Sequence, residues 1–146
     1  ADCVPVILCD CAARRIGVIH SGWRGTRENI VGGLVEIFVQ RGSAPADLRL
    51  WTGPAICGSC YEVGEEVCGE FERRWPEWAD LWAGRRLNLT SVIHRQALRA
   101  GLAEFQISHS GICTFHAAQA LPSHRREGVG RQANLYTGAA GIEAVE

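Results

Sequence analysis

Two apolar runs near the N-terminus, residues 4–8 and 16–19, are separated by a polar link over 9–15. Short runs this rich in Val and Ile predict buried strands. The first begins beside Cys3, and the second delivers His20 into a glycine-bracketed turn, Ser21-Gly22-Trp23-Arg24-Gly25. Laid end to end, the strands bring Cys3 and His20 to opposite ends of a hairpin or onto neighbouring parallel strands, and the pattern permits both. Thr26 is the expected N-cap of a helix over 27–41, in which Ile30, Leu34, Ile37 and Phe38 fall on one face before Gly42 and Pro45 end it. Leu48–Thr52 alternates as a strand does, and the glycines and proline of GPAICGSCYEVG at 53–64 predict a fixed irregular loop.

The second half alternates in the same way. Residues 65–75 predict a helix with glutamates in its first turn, arginines in its last and Val67 and Phe71 on one face, stopped by Pro76. Trp75, Trp78 and Trp82 read as core or lid aromatics. Leu87 and Leu89 flank Asn88 in a short extended piece, and Ser91 is the expected cap of a helix running through Ala103. Further strands are expected at 105–108, 112–115 and 133–136, with a frayed tail over 138–146. Strands and helices alternate without a long parallel βαβ rhythm, so the class is α/β or α+β.

Composition narrows the function. A chain of 146 residues is one domain by size, and 47% apolar with 21% charged residues is ordinary for a soluble protein. A net charge of −1 makes no electrostatic case for nucleic acid or an anionic membrane, and no apolar run reaches the length of a membrane span. With no signal-peptide pattern, the expected location is cytoplasmic. All 15 basic residues are arginine, and methionine is absent. The chain also enters a strand within three residues, so we expect it to start in the middle of a larger protein. Seven cysteines at 3, 9, 11, 57, 60, 68 and 113 make an odd count, which favours reduced and mostly buried thiols over disulfides.

Candidate chemistry begins with Cys3 and His20, a thiol and an imidazole at strand ends, where a metal site or a Cys–His nucleophile pair would be built. Asp2 stands beside Cys3 as a partner to a ligand or a general base. The turn at 20–25 opens a helix, so its backbone N–H groups and Arg24 suit an anion. A second arginine–glycine segment, with His124, Arg125 and Arg126, suggests convergence on a negatively charged substrate such as phosphate. Cys57-x-x-Cys60 invites a zinc or redox reading. A zinc site needs a second pair, however, and Cys9-x-Cys11 has the wrong spacing, while a redox pair needs a helix where this sequence looks like loop.

Taken together, ADCVPV at 1–6, HSGWRGT at 20–26, GPAICGSCYEVGEEV at 53–67, CTF at 113–115 and SHRREGVGR at 123–131 resemble the laccase-domain (multicopper polyphenol oxidase-like) family. Its members are also described as purine nucleoside phosphorylases with adenosine deaminase and methylthioadenosine phosphorylase activity. The resemblance implies an α+β layered sandwich of mixed β-sheets flanked by helices, shared with a toxin deamidase domain, over a single domain 1–146 that lacks its N-terminal portion. It also implies a metal, zinc or alternatively copper, bound by Cys3, by His20 and by a further histidine upstream of the ADC motif. Ser21, Asn88, Glu127 and Gln132 depart from the family pattern without removing a ligand.

The function expected from the resemblance is metal-dependent phosphorolysis of purine nucleosides, with adenosine deamination at a related site. Cys3, His20 and Asp2 would be catalytic, Cys3 and His20 metal ligands, and Arg24, His124, Arg125 and Arg126 substrate-binding. The partners are then nucleosides and phosphate, with neither nucleic acid nor membrane. The alternatives are a copper-dependent phenol oxidase, a metal-free hydrolase with Cys3 as nucleophile and His20 as base, and an inactive fragment or interaction module.

Overall fold

The computed structural model describes residues 1–117, 121–127 and 143–144. Strand β1 (Val4–Asp10) turns back on β2 (Arg15–Ser21) as an antiparallel hairpin. The turn is closed by Asp10, whose Oδ1 accepts the Ala13 N–H at 2.8 Å, and by Arg14 in the left-handed region at φ 55°. Val4 pairs with Ser21 and Pro5 with His20. Cys3 and His20 therefore share the open end of the hairpin instead of lying at opposite ends.

A short helix α1 (Trp23–Arg27) follows at once, and α2 (Ile30–Gln40) begins after a break at Asn29, φ 63°. The helix expected over 27–41 is thus two helices. Thr26 lies inside the first one, its hydroxyl donating back to the Gly22 carbonyl at 2.9 Å, and Gly22 occupies the N-cap. Next come β3 (Leu48–Thr52), α3 (Glu65–Arg74), and the ribbon of β4 (Trp82–Ala83) with β5 (Arg86–Leu87). Helix α4 (Leu89–Arg99) is capped by Asn88, whose Oδ1 accepts the Ser91 N–H at 3.1 Å, so Ser91 is the donor of that cap and not its acceptor. Strand β6 (Ile107–His109) follows a 3-10 turn over 104–106. Helix α5 (His124–Glu127) and β7 (Glu143–Ala144) complete the described elements.

The main sheet runs β6-β3-β1-β2-β7, antiparallel at its centre and parallel at both edges, with β3 beside β6 and β2 beside β7. Mixed strands with flanking helices make the fold α+β. Residues 143–144 of the expected tail are paired as a strand, and the strand expected at 133–136 lies outside the described residues. The strand expected at 112–115 is a single parallel bridge, Ala55 to Cys113, leading into a turn.

Period-two alternation decides which face is buried. Val6, Leu8, Leu48 and Leu50 point to Leu34, Val35 and Phe38 of α2 and to Val92, Ile93 and Ala97 of α4 within one core. Gly17 faces the same way, and a Cβ there would come within 2.9 Å of both Leu34 Cδ1 and Phe38 Cε2. On the opposite face Trp51, Ile7 and Val18 align across β3, β1 and β2. Trp75, Trp78 and Trp82 are all buried, the first two stacked at 4.4 Å. The seven cysteines are free, as expected, but among them only Cys68 is fully buried.

Candidate active site

The close pairing of the hairpin ends places Cys3 across from Gly22. A Cβ added at Gly22 would sit 3.1 Å from Cys3 Sγ and 3.7 Å from His20 Nε2. The thiol and the imidazole therefore converge on the small space that the missing side chain leaves open. No hydrogen bond joins them among the described residues. Burial pushes the Cys3 thiol above its ordinary range, and the Asp2 carboxylate adds to this. Both effects keep the thiol protonated near neutral pH, which weakens a metal-free nucleophile and leaves a thiol that an ion would have to deprotonate. Two donors facing one glycine-lined gap suit a metal ion.

Asp2 organises the neighbourhood. It is 6% exposed and sits in the left-handed region at φ 71°. Its Oδ1 accepts the Thr114 hydroxyl at 2.6 Å and its Oδ2 accepts the Arg125 N–H at 2.8 Å. Burial works to raise its pKa, but hydrogen bonds from Thr114, Arg125 and Ser123 outweigh that and hold the carboxyl below its ordinary value. Asp2 thereby ties α5 to the start of β1.

Asp2, Cys3, Tyr61, His124 and Arg125 line a cavity of about 190 Å³ together with Ala1 and Leu89. The Arg125 guanidinium lies 4.9 Å over the Tyr61 ring and donates to the Glu62 carbonyl at 2.5 Å. Arg126 is turned the other way. Its guanidinium donates to the carbonyls of Thr114, Phe115 and Leu121 at 2.7, 2.8 and 2.7 Å and pairs with Glu127, tying the segment together. Arg24 is exposed, stacks at 4.3 Å on Trp23 and does not line this cavity. Of the residues singled out from sequence, the structure thus gathers Asp2, Cys3, His124 and Arg125 around one cavity, with His20 meeting Cys3 over Gly22.

Sequence reasoning missed Tyr61 and Thr114, which touch the site from the loop after β3 and the turn after β6. It also missed a chain of side chains bordering a second cavity of about 210 Å³. There Thr52 Oγ1 meets His109 Nδ1 at 2.8 Å, His109 Nε2 meets His94 Nδ1 at 2.9 Å, and His94 Nε2 meets Glu104 at 2.8 Å. Burial, then the neighbouring His94, lowers the His109 pKa. Finally, the partner that Cys57 and Cys60 lacked is present. Cys113 and His116 bring their ligand atoms to the same place, and all four lie within 4.8 Å of one another. The second half of that group is a Cys-x-x-His, which a pairing of cysteines with cysteines does not reveal.

Residues 1–137 match the sequence model of the multi-copper polyphenol oxidoreductase laccase family. The chain belongs to that family. A purine nucleoside phosphorylase of Bacillus subtilis, YlmD, is 37% identical over 134 residues, covering 87% of this chain and 48% of that protein. An adenosine deaminase from an unknown prokaryotic organism, RL5, is 41% identical over 73 residues, covering 50% of this chain and 28% of its own length. The crystal structure of YfiH from Bacillus licheniformis superposes with a TM-score of 0.79 at 36% identity, covering 86% of this chain and 50% of that one. This laccase-family chain therefore spans about half the length of the curated relatives it matches. Among the described residues, no helix is long and apolar enough to cross a membrane.

Proposed function

We propose that this chain contributes Cys3, His20 and the adjoining cavity to a zinc-dependent purine nucleoside phosphorylase. The observation that carries the proposal is the meeting of Cys3 Sγ and His20 Nε2 over Gly22, next to a cavity lined by His124 and Arg125. The relatives named purine nucleoside phosphorylase support it. Zinc held by Cys3 and His20 would supply a Lewis acid beside the cavity.

The remaining chemistry falls to the chain. Arg125 is fixed at its backbone by Asp2 and flanked by Tyr61, so its guanidinium offers charge to phosphate at the cavity mouth; Arg24, exposed outside the cavity on the turn after His20, would have to leave Trp23 to serve as a second cation. A phosphate oxygen attacks ribose C1′ as the C1′–N9 bond breaks, and the electron pair departs with the purine. His124, exposed at the cavity edge, would give the purine nitrogen its proton. Asp2, with both oxygens engaged, acts by positioning Arg125 and Thr114. The relative named adenosine deaminase supports hydrolysis of the 6-amino group of adenosine at the same site as a second activity.

Incubation with inosine and phosphate tests the proposal. Hypoxanthine and ribose 1-phosphate should appear in equal amounts, dependent on zinc and lost in Cys3→Ser. Zinc-loaded protein that forms neither product overturns it.

A further inference from the structure

Four donors, two of which, Cys57 and Cys113, line the cavity of about 210 Å³, form a second centre that the phosphorylase reading does not use. We propose that Cys57, Cys60, Cys113 and His116 form a closed tetrahedral zinc site that is structural and separate from the Cys3/His20 pair. Each residue offers one ligand atom, and all four atoms lie within 4.8 Å of one another. With zinc–sulfur bonds of about 2.3 Å, a tetrahedron has edges of about 3.8 Å. The group thus needs to contract only slightly to close on an ion. One edge is already short, Cys60 Sγ to His116 Nε2 at 3.2 Å.

The backbone supports the same conclusion. Cys57 to Cys60 is a tight turn closed by the Cys60 and Tyr61 N–H groups on the Cys57 carbonyl, each at 3.0 Å. Cys113 to His116 is another, closed by the Ala117 N–H on the Cys113 carbonyl at 3.0 Å. The two turns are joined at their roots, where Ala55 N–H donates to the Ile112 carbonyl and Thr114 N–H to the Ala55 carbonyl, both at 3.1 Å. Two facing turns, each presenting two donors, make a zinc knuckle, and the two-residue spacing of each pair lies within the range common in structural zinc sites. The Cys57 N–H also donates to Cys113 Sγ at 3.3 Å, a bond that grows stronger when the sulfur is a thiolate.

The donor set selects the metal. Three thiolates and an imidazole in a tetrahedron suit zinc, whereas copper redox centres use fewer thiolates and more imidazole. All four positions are filled by protein, so no coordination site remains for substrate. On binding, the three thiol protons pass to solvent. The ion would also fix one residue that lines the cavity and one that anchors it. Tyr61, in the lining, directly follows Cys60, and Thr114, between Cys113 and His116, donates its hydroxyl to the lining residue Asp2.

The test uses cobalt(II) as the probe on reduced protein carrying Cys3→Ser, which leaves the cluster intact. One cobalt per chain should bind, with thiolate-to-metal charge-transfer absorption and the intense visible bands of a tetrahedral ion, all removed by added zinc. His116→Ala alters an exposed side chain, so its fold should survive. It should weaken binding by at least tenfold, while His116→Cys should keep one cobalt with a shifted spectrum. Protein that binds no cobalt, binds it octahedrally, or holds a disulfide among these cysteines under reducing conditions overturns the proposal. A spectrum unchanged in His116→Ala overturns it equally.

Discussion

Gly22→Ala separates the metal reading of Cys3 and His20 from a merely structural one. Gly22 has φ −80° and ψ 177°, extended backbone that alanine adopts freely. Removing glycine freedom from the unfolded chain stabilises by about 0.4–1 kcal/mol, and placing alanine at an N-cap costs roughly 0.5–1 kcal/mol. The two nearly cancel, so folding stability should change by less than about 1 kcal/mol. The site responds differently, because the new methyl would lie 3.1 Å from Cys3 Sγ and 3.7 Å from His20 Nε2, in the space that an ion would share. The sulfur must retreat by a few tenths of an ångström and the gap is filled. A displacement of about 0.5 Å is enough to spoil a metal geometry, and a tenfold to hundredfold loss of affinity corresponds to about 1.4–2.7 kcal/mol. The assay is zinc protection of Cys3 from iodoacetamide, read on the Cys3 peptide by mass spectrometry, so that zinc at other cysteines does not interfere. The half-protecting zinc concentration should rise tenfold or more in Gly22→Ala, with a urea midpoint close to that of the parent. Unchanged protection of Cys3 in a folded Gly22→Ala protein would refute the idea that the thiol and imidazole share an ion over this glycine.

Further outcomes follow from the packing and the charges. Gly17→Ala should destabilise by about 1–3 kcal/mol in urea unfolding, because its methyl meets Leu34 and Phe38 at 2.9 Å, whereas Gly33→Ala in α2 meets nothing within 4 Å and should stabilise by about 0.5–1 kcal/mol. Thr114→Val removes the hydroxyl that donates to the Asp2 carboxylate in a buried setting and should cost about 1.5–3 kcal/mol, most of it recovered in Thr114→Ser. The lowered His109 pKa means that the unfolded chain binds a proton more readily than the folded one below the ordinary value of 6.5. Stability should therefore fall as pH drops from 6.5 through the folded pKa, and His109→Gln should flatten that slope in denaturation curves taken across it.

Local sequence carried the sheet and helices well wherever one face is buried. The alternation of Leu48, Leu50 and Thr52 and the spacing of Val67 and Phe71 report a core directly, and the observed β3 and α3 follow. Errors fell where a single polar contact decides. Thr26 has the chemistry of an N-cap, yet it is fully buried and its hydroxyl bonds Ser21 and the Gly22 carbonyl, while Asn29 in the left-handed region divides the expected helix. Ser91 likewise has a capping side chain, but Asn88 three residues earlier is the acceptor.

The candidate site was legible in proportion to how closely its residues lie along the chain. Cys3 and His20 stand at the ends of adjacent strands, so a hairpin alone unites them. Asp2 meets Thr114 and Arg125 only because residue 55 pairs with residue 113, a single bridge with no periodicity to announce it. That bridge also brings the Cys57 and Cys113 turns together, and it joins two loop segments, after β3 and after β6, in which no burial pattern hints at a metal. A Cys-x-x-Cys read alone is therefore ambiguous by nature: its meaning depends on whether a second donor pair faces it, which the fold decides. The same seam sets both the anchoring of Asp2 and the closure of the cysteine cluster. Loosening the turn over 113–116 should therefore be felt at Arg125 in the cavity before it is felt in the hydrophobic core.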